Sequence, residues 1–218
     1  KGSNSILIDT SPDLRRQLLT NKITKVSSVI FTHEHADQTN GLFELRPFYW
    51  KNKKKMNIYG NLRTINHLKK SQEYLFKKIS TYPPIVRANV INSSFSLGEL
   101  NEAVHFKAIK ARHGKTSSVI YIFENAAYVS DCDDLSIVKI KELQNLEYLI
   151  LDCLRFKKHA SHFNLRESLY VHRCLNPKKT ILTNLHYDLD YDVLLRKLPK
   201  NVLPAYDGLS LNLQNVKK

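Results

Sequence analysis

The sequence predicts a mixed α/β fold, α+β or α/β in class, with helices covering the outer sides of its sheets. Three observations point there. Short apolar, β-branched runs recur at 6–9, 26–32, 90–91, 104–109, 119–123, 127–130, 148–152 and 180–183. Segments with helical spacing separate them, most plainly where Leu62, Ile65, Leu68 and Leu75 fall on one face. No repeat, low-complexity tract or Pro/Gly-rich linker interrupts residues 1–218, so a single domain is the simplest organisation.

Each element has a local reason. After the first strand, Ser11-Pro12-Asp13 supplies an N-cap, a proline for the first helical position and a first-turn acid, opening a helix to about Leu19. A helix is expected over 61–79, and turns at Gly98 and Glu124-Asn125 punctuate the strand-rich middle. The last third alternates: strand 148–152, helix 164–174, strand 180–183, helix 190–198, and a final strand at 209–213.

Composition narrows the class. Hydrophobic residues make up 42% and charged residues 25% of the 218, ordinary for a globular protein and too apolar for a disordered chain. No apolar run is long enough to span a bilayer, and no basic-then-apolar leader opens the sequence, so neither a membrane partner nor a signal peptide is expected. Cys132, Cys153 and Cys174 form no CxxC pair and read as reduced thiols of a cytoplasmic protein. The formal net charge of +14 fits an anionic partner, and equally a lysine-rich surface with no partner behind it. Apart from Lys53-Lys54-Lys55 the lysines are scattered, whereas specific nucleic-acid recognition leans on arginine forks. A small anionic substrate is therefore expected ahead of nucleic acid.

The chemistry concentrates after the strand at 26–32, in Thr32-His33-Glu34-His35-Ala36-Asp37-Gln38. Two imidazoles at i and i+2 and a carboxylate two further on converge on one ion if the backbone turns sharply, and that donor set suits Zn²⁺ or a related divalent ion. An isolated HxH also arises by chance on surfaces. His113 and Asp131 follow later strands, where loops free of ladder hydrogen bonds commonly carry function. His162 precedes the helix at 164, whose N-terminus attracts anions, and suits contact with a substrate phosphate or proton donation. His186 follows the strand 180–183. His67, His105 and His172 lie within regular elements and read as surface or packing residues.

Several stretches then resemble one family in its order: Ile8-Asp9-Thr10-Ser11-Pro12-Asp13, 31–37 with Thr39-Asn40-Gly41-Leu42, Leu45-Arg46-Pro47-Phe48 and Arg112-His113-Gly114-Lys115-Thr116. Leu151-Asp152 with Leu154-Arg155, His162-Phe163-Asn164-Leu165, Asp188-Leu189-Asp190-Tyr191 and Pro204-Ala205-Tyr206-Asp207-Gly208-Leu209 continue the series. The chain resembles the metallo-β-lactamase superfamily, most closely its PhnP-like phosphodiesterase branch, related to tRNase Z. The resemblance implies a four-layer αββα sandwich with two metals. His33, His35 and His113 would bind the first metal, Asp131 would bridge, Asp37 would hold the second, and His162 would stand near the scissile phosphate.

Two positions depart from that pattern: Gln38 and Asn184 stand where the family carries second-metal histidines. Amide oxygens are weak zinc ligands beside imidazole. The expectation is one Zn²⁺ or Mn²⁺, not two, with His186 in place of Asn184 only if its loop shifts. The chain also begins without the family's N-terminal strands and Gly-rich turn, so it reads as N-terminally truncated, with an unpaired edge that would encourage association. Three functions follow: a phosphodiesterase using Asp37 and His162 catalytically, weakened by its degraded second site; a pseudoenzyme that keeps the fold to bind a ligand or partner; and a tRNase Z-like enzyme, for which no basic Gly/Pro-rich arm is visible.

Overall fold

Strands of three to five residues, the first three each followed by helix, build the first half of the chain. The computed structural model describes residues 4–99 and 101–213. The chain divides into two compact units, Lys1–His105 and Phe106–Lys218.

In the first unit, strands β1 (Ile6–Ile8), β2 (Ser28–Ile30), β3 (Met56–Gly60) and β4 (Val86–Val90) form a parallel sheet in sequence order. Parallel neighbours need long crossovers. These are supplied by α1 (Leu14–Thr20), by α2 (Ala36–Thr39) with α3 (Arg46–Asn52), and by α4 (Leu62–Ser71). Leu14 and Leu18, Leu42, Leu45 and Phe48, and Ile65 and Leu68 bury against Val29, Phe31 and Ile58. Each such side chain contributes about 1.5–3 kcal/mol of apolar burial. Strand β5 (Ser94–Leu97) follows, with Ser96 Oγ 2.6 Å from Nδ1 of exposed His105.

In the second unit, β6 (Val104–His113), β7 (Thr116–Phe123) and β8 (Ala126–Val129) are antiparallel neighbours. Beyond them β9 (Tyr148–Asp152), β10 (Lys179–Thr183) and β11 (Val202–Pro204) run parallel, in the order β8-β9-β10-β11. Helices α5 (Leu165–Leu175) and α6 (Tyr191–Lys197) supply the last two crossovers. Asn164 and Glu167 form a capping box at α5, and Asp190 accepts from Val193 N at α6.

Several local expectations are corrected. The sequence reading placed no element at 56–60 or at 46–52, where β3 and α3 form. The helix expected to 79 ends at Ser71 and gives way to a 3₁₀ turn, Glu73–Leu75. Ser11 does not cap α1: Asp13 occupies the N-cap and the Ser11 hydroxyl hydrogen-bonds to Gln17 Oε1 at 2.8 Å. β6 runs on to His113 instead of ending near 109, because its hairpin with β7 continues until His113 faces Thr116. The last strand is β11, and 209–213 holds no strand.

Candidate functional site

The candidate residues fall at the ends of strands, in two groups, one in each unit. In the first unit the carboxylate of Asp9, just past β1, accepts from Thr32 N at 2.7 Å and from the Thr32 hydroxyl at 2.8 Å. That hydroxyl has given its one proton to Asp9. His33 Nδ1, 3.0 Å from Thr32 Oγ1, must therefore be the donor in that contact. In the neutral ring this leaves the lone pair on Nε2, the arrangement in which a neighbouring acceptor fixes the tautomer of a metal-binding histidine. The His33 and His35 rings lie 4.4 Å apart, edge to face. Backbone bonds from Thr10 N to Gln38 O and from Gly41 N to Thr10 O tie the loop to the end of β1. A Cβ on Gly41 would meet Ser11 O at 2.0 Å, so no side chain fits there. Asp37 is exposed in the first turn of α2, and Gln38 Nε2 donates to its Oδ2 at 3.0 Å. Glu34 turns elsewhere, to Arg63 Nε at 2.7 Å.

In the second unit His113 ends β6 almost fully buried, with Nδ1 2.7 Å from Ser161 O. A carbonyl only accepts, so Nδ1 carries the proton and Nε2 of the neutral ring the lone pair. Gly114, at φ +58, brings the turn against Ser161, whose Cβ would lie 2.8 Å from any Cβ added there. Asp133 anchors the adjoining loop, accepting from Arg112 Nε at 3.1 Å and from Gly114 N at 3.2 Å. Asp131 follows β8 at φ +52, a left-handed conformation that L-residues adopt at a cost but Asp and Asn tolerate best. Its Oδ1 lies 3.9 Å from Nε2 of His113 and 3.9 Å from Nε2 of His162. One ligand atom of each of these three residues lies within 4.8 Å of the other two.

The hub of this group is Asp152, at the end of β9 and fully buried. Its carboxylate meets His162 Nδ1 at 3.1 Å, Phe163 N at 3.0 Å, Cys132 N at 3.3 Å and Asn184 Nδ2 at 2.9 Å. Burial pushes this carboxyl up, and the His162 hydrogen bond works against that shift. Asn184, at φ +62 after β10, also donates from Nδ2 to Asp131 Oδ2 at 3.2 Å. His159, absent from the sequence reading, has its ring 5.2 Å from that of His162. Burial first, then the His162 charge, holds its imidazole below the ordinary histidine range. His186 turns to Asp188 at 3.3 Å and to the Tyr187 ring. Cys132 and Cys153 are buried free thiols; burial pushes Cys153 up to about 12, which keeps it protonated and unreactive. His67 and His105 are exposed, and buried His172 bonds to Thr180, as expected of surface and packing residues.

A divalent ion fits this donor chemistry. Nε2 of His113, its tautomer fixed by Ser161 O, and the Asp131 carboxylate oxygen are ligand types that Zn²⁺ and its neighbours take, and His33 Nε2 in the first unit is a donor of the same kind. The 3.9 Å between Asp131 Oδ1 and His113 Nε2 is too long for a hydrogen bond yet within about 4.2 Å, the span of two ~2.1 Å bonds to one ion. Asn184 does not fit as a ligand in this arrangement, because its NH₂ faces the two carboxylates and the amide oxygen, the atom that would bind an ion, is turned away from them.

Residues 4–187 match the family described as Beta-lactamase superfamily domain. The chain belongs to that family, in the metallo-β-lactamase superfamily of hydrolases, and has its fold, of mixed α/β content with two sheets. A crystal structure of a diphosphatase from the PhnP family is 30% identical, with a TM-score of 0.84 over 96% of this chain and 79% of that one. The short form of human tRNase Z shares the fold at 15% identity, with a TM-score of 0.71 over 98% of this chain and 90% of that one. An octanoyltransferase of Porphyromonas gingivalis is 27% identical over 210 residues, 94% of this chain. The chain spans 41% of the length of that curated relative. No helix among the described residues is long and apolar enough to cross a membrane.

Proposed function

We propose that the chain is a metal-dependent phosphodiesterase acting on a small, anionic phosphodiester with a single Zn²⁺ or Mn²⁺. His33, His35, His113 and Asp131 are its proposed ligands, and Asp37 and His162 its proposed catalytic residues. The observation that carries this reading is the Asp131 carboxylate facing two differently held rings: His113, whose Nδ1 is on Ser161 O so that Nε2 is the donor for an ion, and His162, whose Nδ1 is on the Asp152 carboxylate, which supports a proton on Nε2. The 30% identical structure is named a diphosphatase, which supports chemistry at phosphorus. A cytoplasmic setting belongs to the same proposal, supported by the buried thiols of Cys132 and Cys153.

A divalent ion held there supplies Lewis acidity to a phosphoryl oxygen and lowers the pKa of water. The chain's own residues handle the protons. Asp37 orients the attacking water and accepts its proton as the new P–O bond forms. Charged His162 gives its Nε2 proton to the leaving oxygen as the old P–O bond breaks. Asp152 keeps the His162 ring in place through Nδ1 and stabilises its charged form. The second reading, a ligand-binding pseudoenzyme, draws on Gln38 and Asn184 standing in for imidazoles.

An assay with a chromogenic phosphodiester and added Zn²⁺ or Mn²⁺ separates the two. The expected result is metal-dependent turnover, abolished in His113→Ala and reduced about 10–100-fold in Asp152→Asn. Purified protein that holds no metal and shows no turnover on metal addition would establish the pseudoenzyme instead.

A further inference from the structure

The amide of Asn184 is placed as a cation would be. Its Nδ2 lies 3.2 Å from Asp131 Oδ2 and 2.9 Å from Asp152 Oδ1, so one NH₂ group bridges two buried carboxylates. The orientation follows from chemistry: ionised carboxylates only accept, so the nitrogen of the carboxamide must face them. Both donor hydrogens of Asn184 are used, one on each acid. A left-handed backbone at φ +62 holds the residue in this pose just after β10. Asp131 is thereby divided, with Oδ2 held by Asn184 and Oδ1 turned towards the two imidazoles. In the first unit Gln38 Nε2 donates to one carboxylate only, Oδ2 of exposed Asp37 at 3.0 Å.

We infer that Asn184 is a built-in substitute for a second cation. Its NH₂ holds Asp131 and Asp152 together and leaves Asp131 a single oxygen for metal, so the centre is mononuclear by construction and not merely short of a ligand. The inference deepens the hydrolase reading and rests on it for the identity of the ion, but the clamp itself is a property of the metal-free chain. An unclamped pair of buried carboxylates repels, and each acid loses a hydrogen bond that a buried charge needs. A cation drawn between them would then restore what the amide supplied.

The test is thermal melting of metal-free wild type, Asn184→Ala and Asn184→Asp, together with Co²⁺ titration followed by visible absorption. The clamp predicts that metal-free Asn184→Ala melts at least about 5 °C below wild type. Metal-free Asn184→Asp, which adds a third carboxylate in place of the donor, should melt lower still. Wild type should saturate at one Co²⁺, whereas Asn184→Asp should take up more than one and recover most of its lost melting temperature. Metal-free variants as stable as wild type, or wild type binding two ions, would overturn the inference. If Asn184→Ala fails to fold, Asn184→Asp refolded with excess Co²⁺ decides: recovery supports the clamp, and no recovery refutes it. Wild type that binds no ion defeats the hydrolase reading, and the metal-free melting difference then decides the clamp alone.

Discussion

His172 sits on the buried face of α5 with Nδ1 2.8 Å from the Thr180 hydroxyl. Burial, and second the Arg173 charge, hold its imidazole below the ordinary histidine value. The unfolded chain therefore takes up this proton near pH 6.5 while the folded chain resists it. Stability rises with pH where the unfolded state binds more protons, so this contribution is complete above about pH 6.5 and is lost on acidification below it. His172→Gln keeps a polar partner for Thr180 and removes the proton. The melting temperature of His172→Gln should fall less steeply than that of wild type between about pH 6.5 and 5; parallel curves would refute the assignment. Legibility at this scale divides by chemistry. His33, His35 and Asp37 announce themselves by spacing within one loop. Asp9 and Asp152 do not, because a lone acid after a strand carries no signature until the fold brings donors to it. Both stand inside stretches that match the family, which is the one signal that could have found them.

Helix α5 shows how an element positions a site residue. The Asn164 side chain accepts from Glu167 N at 2.9 Å, and the Glu167 carboxylate accepts from Asn164 N at 3.1 Å. Ser168 adds a hydroxyl bond to Asp152 O at 2.7 Å. The first turn of α5 is thus pinned to the end of β9, and His162 lies two residues before its cap. Asn164→Ala should cost about 1 kcal/mol of stability and lower the melting temperature by about 2–4 °C. It should also reduce turnover without changing the number of bound ions, because His162 loses its support while His113 and Asp131 keep theirs. An Asn164→Ala protein with wild-type melting and turnover would show that the cap does neither. This helix was legible because its cap, acid and apolar face coincide in sequence. β3 was not: it alternates as a strand does, but it is only five residues long, between a lysine run that reads as loop and the Asn61 cap of α4. The strand expected at 209–213 failed for the converse reason, since apolar alternation there finds no partner strand while 202–204 pairs with β10.

At the scale of the whole molecule, the family was legible because its motifs recur in order along nearly the entire chain, and that order is more specific than any single motif. Substrate charge is the remaining property that composition can address. Lys and Arg number 34 against 20 Asp and Glu, a formal net charge of +14. A field of that sign raises the local concentration of an anionic substrate and speeds its capture, and salt screens the effect once the Debye length falls below molecular dimensions. Raising ionic strength from about 0.05 to 0.5 M shortens that length from about 14 to about 4 Å. For a phosphodiester the expected outcome is a fall in kcat/KM of at least about 10-fold with kcat little changed, because steering acts on capture and not on the bound complex. An uncharged ester turned over at the same centre is the control, and its kcat/KM should hardly move. Equal salt sensitivity for both substrates would mean that salt acts on the protein or its metal, and the positive charge would then be a property of the surface with no part in substrate capture.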